Sequence, residues 1–173
     1  MKTAGTVAPS SRFLAKKMLS KIDFSTSKVI VELGAGNGAI THHILKKIAP
    51  DSHLVCFEVN EDFYSGLSKI DHPQLTVLKV SAEKIHIELE KLGHANACHI
   101  VSSLPLTIIP NEISDVILRN SLQVLHPEGT FIQYQYSLTY YKRLKEVFKD
   151  SISMDFEFFN FPPAFIYRCR KLH

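Results

Sequence analysis

"VELGAGNGAI", Val31 to Ile40, is an apolar run that passes into three glycines spaced by two, Gly34, Gly36 and Gly38, with one acid, Glu32, just ahead of them. A strand-to-helix turn this rich in glycine lets backbone amides approach a ligand closely, because glycine enters positive φ at no steric cost. The stretch therefore predicts a strand that ends at a ligand site. Upstream, "SKVIVEL" is a short β-branched run and reads as that strand. Before it, "APSSRFLAKKML" predicts a helix capped by Ser10 or Ser11, with Phe13, Leu14, Met18 and Leu19 on one side.

Downstream, helical periodicity runs from about Ala39 to Ile48, followed by "HLVCFEV" as a strand, "EDFYSGLSKI" as a helix, "QLTVLKV" as a strand, "EKIHIELEKL" as a helix and "ANACHIVSSL" as a strand. Apolar strands alternating with helices imply right-handed βαβ units and a parallel sheet covered on both faces. "NEISDVILRNSLQVL" is a helix, "PEGTFIQYQYS" a strand opened by a Pro-Glu-Gly turn, and "YYKRLKEVFKD" a helix. Two β-rich runs close the chain, "SISMDFEFFN" and "AFIYRCRKL", with only "FPP" between them. Three residues cannot hold the crossover that parallel neighbours require, so these two pair antiparallel. The phenylalanines of "FEFFNFPPAFIY" are expected to pack the core of that hairpin. The expected fold is thus α/β: a mostly parallel seven-stranded sheet with an antiparallel C-terminal hairpin and helices on both faces. With 173 residues, 45% of them hydrophobic, one domain over 1–173 is expected, its first 24 residues a helical segment leading into the core.

No apolar stretch approaches the roughly 20 residues of a membrane span, and the first 20 residues lack a secretory signal pattern. A cytoplasmic, monomeric protein is expected. Cys56, Cys98 and Cys169 are odd in number and far apart, which argues for reduced thiols over a disulfide framework or a metal knuckle. His42-His43 is the one tandem suggesting a metal, but adjacent helical residues diverge, and no metal is expected. A net charge of +3 is too small to point to nucleic acid. The charge is uneven, however: "RFLAKKMLSK" and "YYKRLKEVFK" are basic and amphipathic, a pattern that suits an anionic membrane surface as well as an ordinary solvated helix.

Two cofactors use such a glycine turn. Gly34-x-Gly36-x-x-Ala39 satisfies the dinucleotide fingerprint, whereas G-x-G-x-G with Glu32 two residues ahead is the pattern for S-adenosylmethionine. A helix preceding the fingerprint, a chain too short for a hydride-transfer substrate domain, and the antiparallel hairpin favour S-adenosylmethionine. Glu58 ends the second strand about 20 residues on, where an acid can take ribose hydroxyls of either cofactor.

"AGTVAPSSRFLAKKM", "VELGAGNGAITHHIL", "FEVN", "SSLPL", "PEGTFIQYQYS" and "NFPPAFIYRCRK" resemble the soluble bacterial phospholipid N-methyltransferases, class I methyltransferases with a Rossmann-like sheet that methylate phosphatidylethanolamine; a relative acts on ornithine lipids. The resemblance extends, more thinly, to the rRNA adenine dimethyltransferases. It implies that Gly34, Ala35, Gly36 and Gly38 wrap the methionine part of S-adenosylmethionine with Glu32 beneath, that Glu58 binds the ribose, and that Val59 flanks the adenine. Ala82 and Glu83 take adenine-edge positions, after Ser81 where the family usually has aspartate. Ser10 and Ser11, in the APSS motif, join the cofactor set. "SSLPL" stands where related amine methyltransferases hold the target nitrogen, which makes Ser102, the Leu104 carbonyl and Pro105 candidates for that role, with Tyr136 orienting the amine or facing its cation. The resemblance implies an amino-lipid substrate, most of all phosphatidylethanolamine, at the anionic inner face of the membrane, with part of the phenylalanine-rich "FEFFNFPPAFIY" roofing the acyl-chain or head-group entrance. Methylation of adenine in rRNA and a cofactor-binding module without catalysis are the alternatives.

Overall fold

The computed structural model describes residues 12–172. The expected caps Ser10 and Ser11 lie outside the described residues. In chain order the elements are α1 (Arg12–Leu19), β1 (Val29–Leu33), α2 (Ala39–Leu45), β2 (His53–Phe57), α3 (Glu61–Leu67), β3 (Leu75–Leu78), a 3-10 turn (Ala82–Lys84) that runs into α4 (Ile85–Lys91), β4 (Ala97–Ser102), α5 (Asn111–Val124), β5 (Leu125–Gln135), α6 (Tyr141–Phe148), β6 (Ile152–Glu157) and β7 (Ala164–Arg170). They build one seven-stranded sheet in the order β3-β2-β1-β4-β5-β7-β6. β1 to β5 are parallel, and β7 is antiparallel to both β5 and β6. The sheet reverses direction of winding at β1 and β4, the place where open α/β sheets bind ligands beyond their strands' carboxyl ends.

Alternate strand positions feed two cores. Val31, Leu33, Val55 and Phe57 pack with Ile85, Leu89, Ile117, Leu118, Leu144 and Phe148 from α4, α5 and α6. Ile30, Leu54 and Cys56 face Leu14, Met18, Leu19, Ile40, Ile44 and Leu67 from α1, α2 and α3. β1 is buried at all five positions, as expected of a central parallel strand with both faces covered. Cys56 and Cys169 are buried free thiols, and Cys98 is a half-buried one.

Three expectations change. The Pro-Glu-Gly turn is absorbed into β5 as an irregularity: Ala97 pairs with Leu125 and His99 with Thr130, and Glu128 takes φ 69°. The apolar stripes of both basic helices are used inside the protein, since Leu14, Ala15, Met18 and Leu19 of α1 and Leu144 and Phe148 of α6 are buried. Phe13, expected on the same side as Leu14, Met18 and Leu19, is instead exposed at the start of α1, as is Tyr141 at the start of α6; the main apolar stripe of each helix is covered by the sheet and cannot meet a membrane without leaving it. Finally, the C-terminal phenylalanines divide. Phe156 and Phe165 pack on each other at 5 Å-scale ring contact, with centroids 4.8 Å apart, whereas Phe158, Phe159 and Phe161 face solvent.

Arg168 ties the hairpin to α1. It is 5% exposed, pairs with Asp155 of β6, and donates through Nη2 to the Lys17 carbonyl at 2.5 Å. Asp155 also meets Lys21 at 3.2 Å, and burial is outweighed by these cations, so its carboxyl is held below the usual range.

Candidate active site

Everything needed for a ligand site gathers at the carboxyl ends of β1, β2 and β4. Gly34, Gly36 and Gly38 all take positive φ, at 70°, 55° and 82°. The Gly34 N–H donates to the Phe57 carbonyl at 2.9 Å, and the Gly36 N–H donates to Glu58 Oε2 at 2.8 Å. The other oxygen of Glu58 accepts from the Asn60 N–H at 2.8 Å. Glu58 is therefore a strut between the glycine loop and the start of α3, whose Asn60 side chain caps the helix by accepting from Asp62 and Phe63. Each carboxylate oxygen keeps a further lone pair for a ligand hydroxyl. Val59, next along, is 64% exposed and offers an open apolar surface beside that acid.

Beneath the loop, Glu32 is fully buried. Thr41 Oγ1 donates to its Oε2 at 2.7 Å, and the Cys56 thiol approaches the same oxygen at 3.3 Å. Oε1 has no hydrogen-bond partner. Desolvation dominates these bonds and pushes the Glu32 carboxyl up to about 7, and burial beside that acid pushes the Cys56 thiol well up.

Ser81 caps the 3-10 turn. Its hydroxyl donates to Glu83 Oε2 at 2.8 Å and accepts from the Glu83 N–H at 3.3 Å. Ala82 is buried, and the Glu83 carbonyl accepts from Asn120 of α5 at 2.7 Å. Thus Ser81 is a local structural cap of that turn.

The SSLPL turn abuts the glycine loop. Ser103 N–H donates to the Leu33 carbonyl at 2.9 Å, and a Cβ on Gly34 would lie 2.9 Å from Leu104 Cδ2. Ser102 is wholly buried, and its Oγ accepts from Leu104 N–H at 3.4 Å. The Leu104 carbonyl accepts from Leu106 N–H at 2.9 Å and from Gln133 Nε2 at 3.0 Å, which uses both of its lone pairs within the chain. Gln133 was not anticipated as a site residue. It is fully buried on β5, donates also to the Tyr134 carbonyl at 2.8 Å, and leaves Oε1 unpartnered. Its signal was a glutamine inside a central strand, where an amide must find partners. Tyr136 is half-exposed past the end of β5, its ring edge-on to Tyr134 with centroids 5.6 Å apart. Beyond Leu106, a hollow of about 400 Å³ is lined by Thr107, Asn111, Thr139, Tyr140, Lys142 and Arg143.

Among the described residues no three His, Cys, Asp or Glu side chains gather as a metal-ligand set, and no helix is long and apolar enough to cross a membrane.

The sequence pattern of the family described as Ribosomal RNA adenine dimethylase matches residues 10–147. The chain belongs to that family. Within the family's reach, it is 33% identical over 167 residues to an ornithine lipid N-methyltransferase of Singulisphaera acidiphila, covering 95% of this chain and 87% of that protein. It is 27% identical over 112 residues to the ribosomal RNA small subunit methyltransferase A of Mycoplasma mycoides, spanning 40% of that protein's length. The fold is that of a 1,6-didemethyltoxoflavin-N1-methyltransferase from Burkholderia thailandensis (TM-score 0.71, 13% identity, 97% of this chain and 80% of that one). It is also that of a methyltransferase from Aquifex aeolicus (TM-score 0.67, 13% identity, 91% and 89%). The dimethylase-family chain is an S-adenosylmethionine-dependent N-methyltransferase. Its glycine loop suits that cofactor: Gly34, Gly36 and Gly38 hold positive φ, a Cβ at Gly36 would meet nothing closer than 4.0 Å, and an acid stands beside the loop at the end of β2.

Proposed function

We propose that the chain methylates the amine of an amino-lipid head group, phosphatidylethanolamine or ornithine lipid. The observation that carries this reading is the similarity to the ornithine lipid enzyme. An alignment of 167 residues necessarily runs past residue 147, where the dimethylase pattern stops, and so includes part of the C-terminal hairpin.

S-adenosylmethionine supplies an already activated methyl group when bound, so the chain's own work is to position an amine and keep it unprotonated. Gly34, Ala35, Gly36 and Gly38 hold the methionine part, Glu58 accepts from the ribose, and Val59, Ala82 and Glu83 border the adenine. Ser102, Leu104 and Pro105 shape the seat for the target nitrogen, and Gln133 holds that seat rigid through the Leu104 carbonyl. A primary amine with a lysine-like pKa of about 10.4 reaches this seat as an ammonium. Moving it from water into the half-buried turn favours the neutral form with its lone pair free. Transfer moves the positive charge from sulfur to the nitrogen, leaving an ammonium that still carries N–H and sheds a proton to water before any further round, and the face of Tyr136 suits that cation.

Glu58→Ala is expected to weaken S-adenosylmethionine binding by about 1.5–3 kcal/mol, the range for hydrogen bonds to a charged group. Isothermal titration calorimetry measures it, and an unchanged Kd would remove Glu58 from the ribose site. Substrate class is read by offering labelled S-adenosylmethionine with mixed vesicles holding phosphatidylethanolamine, with ornithine lipid vesicles, and with rRNA. Label is expected in the lipid extract. Label in RNA alone would replace this reading with adenine methylation, which the family pattern supports.

A further inference from the structure

We propose that the turn between β6 and β7 is a wedge that enters a lipid surface and holds the active-site edge of the sheet against the head groups. This rests on the amino-lipid reading above. The turn lies on the correct edge: Leu33 pairs with Ser102, Ser102 with Gln133, and Gln135 with Phe165. The glycine loop, the SSLPL turn and residues 158–163 therefore leave the sheet on the same side.

Its polarity is inverted. Phe158, Phe159 and Phe161 are 73%, 78% and 92% exposed, whereas Glu157 and Asn160 are 8% and 3% exposed. The buried pair are the turn's frame: Glu157 Oε1 accepts from the Phe159 N–H at 2.8 Å, and Asn160 Nδ2 donates to the Pro162 carbonyl at 2.7 Å. Phe156, edge-on to Phe158 with centroids 4.5 Å apart and packed on Phe165, roots the frame in the sheet. A turn that spends its polar side chains on its own backbone and directs three large rings into water gains from any apolar medium that receives them.

Charge selects which medium. Phe13 at the start of α1 lies 5.7 Å from Phe159, ring centre to ring centre, and the Arg12 guanidinium sits 5.0 Å over the Phe13 ring. Lys16 is exposed one turn further on. The carboxylates of β6 are turned elsewhere, Glu157 into the turn and Asp155 to Lys21 and Arg168. Rings flanked by cations match an anionic leaflet, apolar below and negative at its surface. A folded protein partner would need a pocketed area on the order of 800 Å² on each side, which three projecting rings do not supply. A bilayer needs no matching pocket.

The chain contains no tryptophan, so Phe159→Trp places a single reporter in the wedge and Leu172→Trp places one beyond the far end of β7. With vesicles of phosphatidylcholine and phosphatidylglycerol, the Phe159→Trp emission is expected to shift to the blue and to be quenched by lipids carrying a spin label near the head group. The Leu172→Trp emission is expected to stay unchanged. The triple variant Phe158→Ser, Phe159→Ser, Phe161→Ser is expected to bind these vesicles about tenfold or more weakly, with S-adenosylmethionine affinity retained as proof of folding. The wedge is overturned by an unshifted Phe159→Trp spectrum, by equal pelleting of the triple variant, or by concentration-dependent self-association that the serines abolish without any vesicle binding. Transfer by the unaltered protein to lipid in detergent micelles is measured alongside. Label in micellar lipid with no wedge signal removes the docking surface alone; a wedge signal with no lipid label removes the substrate alone.

Discussion

Gly34→Val is expected to reduce S-adenosylmethionine affinity more than a hundredfold and to lower stability by about 3–5 kcal/mol. Two costs combine. Gly34 holds φ at 70°, where an ordinary side chain is destabilised by about 1–2 kcal/mol and a β-branched one is a true outlier. In addition, a Cβ there would stand 2.9 Å from Leu104 Cδ2, an overpacking that typically costs about 1–3 kcal/mol. Leu104 can swing its methyl aside, but it belongs to the SSLPL turn, so relief of the contact disturbs the proposed seat for the target nitrogen. A double-mutant cycle separates the two. In Gly34→Ala the steric part should be recovered by Leu104→Ala, with a coupling of about 1 kcal/mol, while the backbone cost remains. Urea unfolding and calorimetric titration read both. A Gly34→Val protein with unaltered Kd would show that this loop does not hold the cofactor.

The second large effect is pH-dependent. Glu32 has its carboxyl raised from 4.5 to about 7 by burial. Below about pH 4.5 the group is protonated in both folded and unfolded chains and contributes nothing to the balance. Between 4.5 and 7 the unfolded chain releases the proton while the folded one keeps it, so stability falls as pH rises. Above 7 the full cost, about 3 kcal/mol, is present. Glu32→Gln removes the ionisation and keeps an acceptor for Thr41. Its stability relative to the unaltered protein should therefore be near zero at the acid end and climb to about 3 kcal/mol above neutrality. His99, lowered to about 4 by burial, and His53, lowered by burial and by His94, act in the opposite sense. Both remain in the variant, so the difference between the two proteins isolates Glu32. Parallel pH profiles from urea unfolding would mean that Glu32 ionises as freely in the fold as outside it.

The order of elements and the parallel-then-antiparallel sheet were legible in the chain because each depends on short-range features. Apolar runs of β-branched residues, helical spacing between them and the three-residue link before Ala164 leave few ways to connect strands. The glycine loop was legible for the same reason, since positive φ at three nearby positions is a local demand. The candidate site was only partly so. Glu58 was readable as an acid at a strand end, but its bond to the Gly36 amide spans 22 residues and makes it a support for the loop as well as the proposed ribose acceptor. Gln133 escaped because alternation in "TFIQYQYS" suggests a solvent face, whereas β5 lies between β4 and β7 and is buried on both sides.

The amphipathic helices and the phenylalanine-rich end show where local pattern stops being informative. A basic helix with an apolar stripe has the same sequence whether the stripe meets a membrane or a sheet, and here Leu14, Met18, Leu144 and Phe148 meet the sheet. "FEFFNFPP" reads as core by composition, yet the buried frame of Glu157 and Asn160 turns three of its rings outward. The sequence by itself therefore determined the class of fold, the sheet edge where the glycine turn stands and the residues of that turn, because periodicity, link length and glycine act over a few neighbours. Tertiary structure alone decided the proton affinity of Glu32, the clamp from Gln133 to the SSLPL turn, and which apolar side chains face water. Each of these is set by desolvation and by contacts between residues far apart in the chain, and neither quantity exists before the sheet has closed around them.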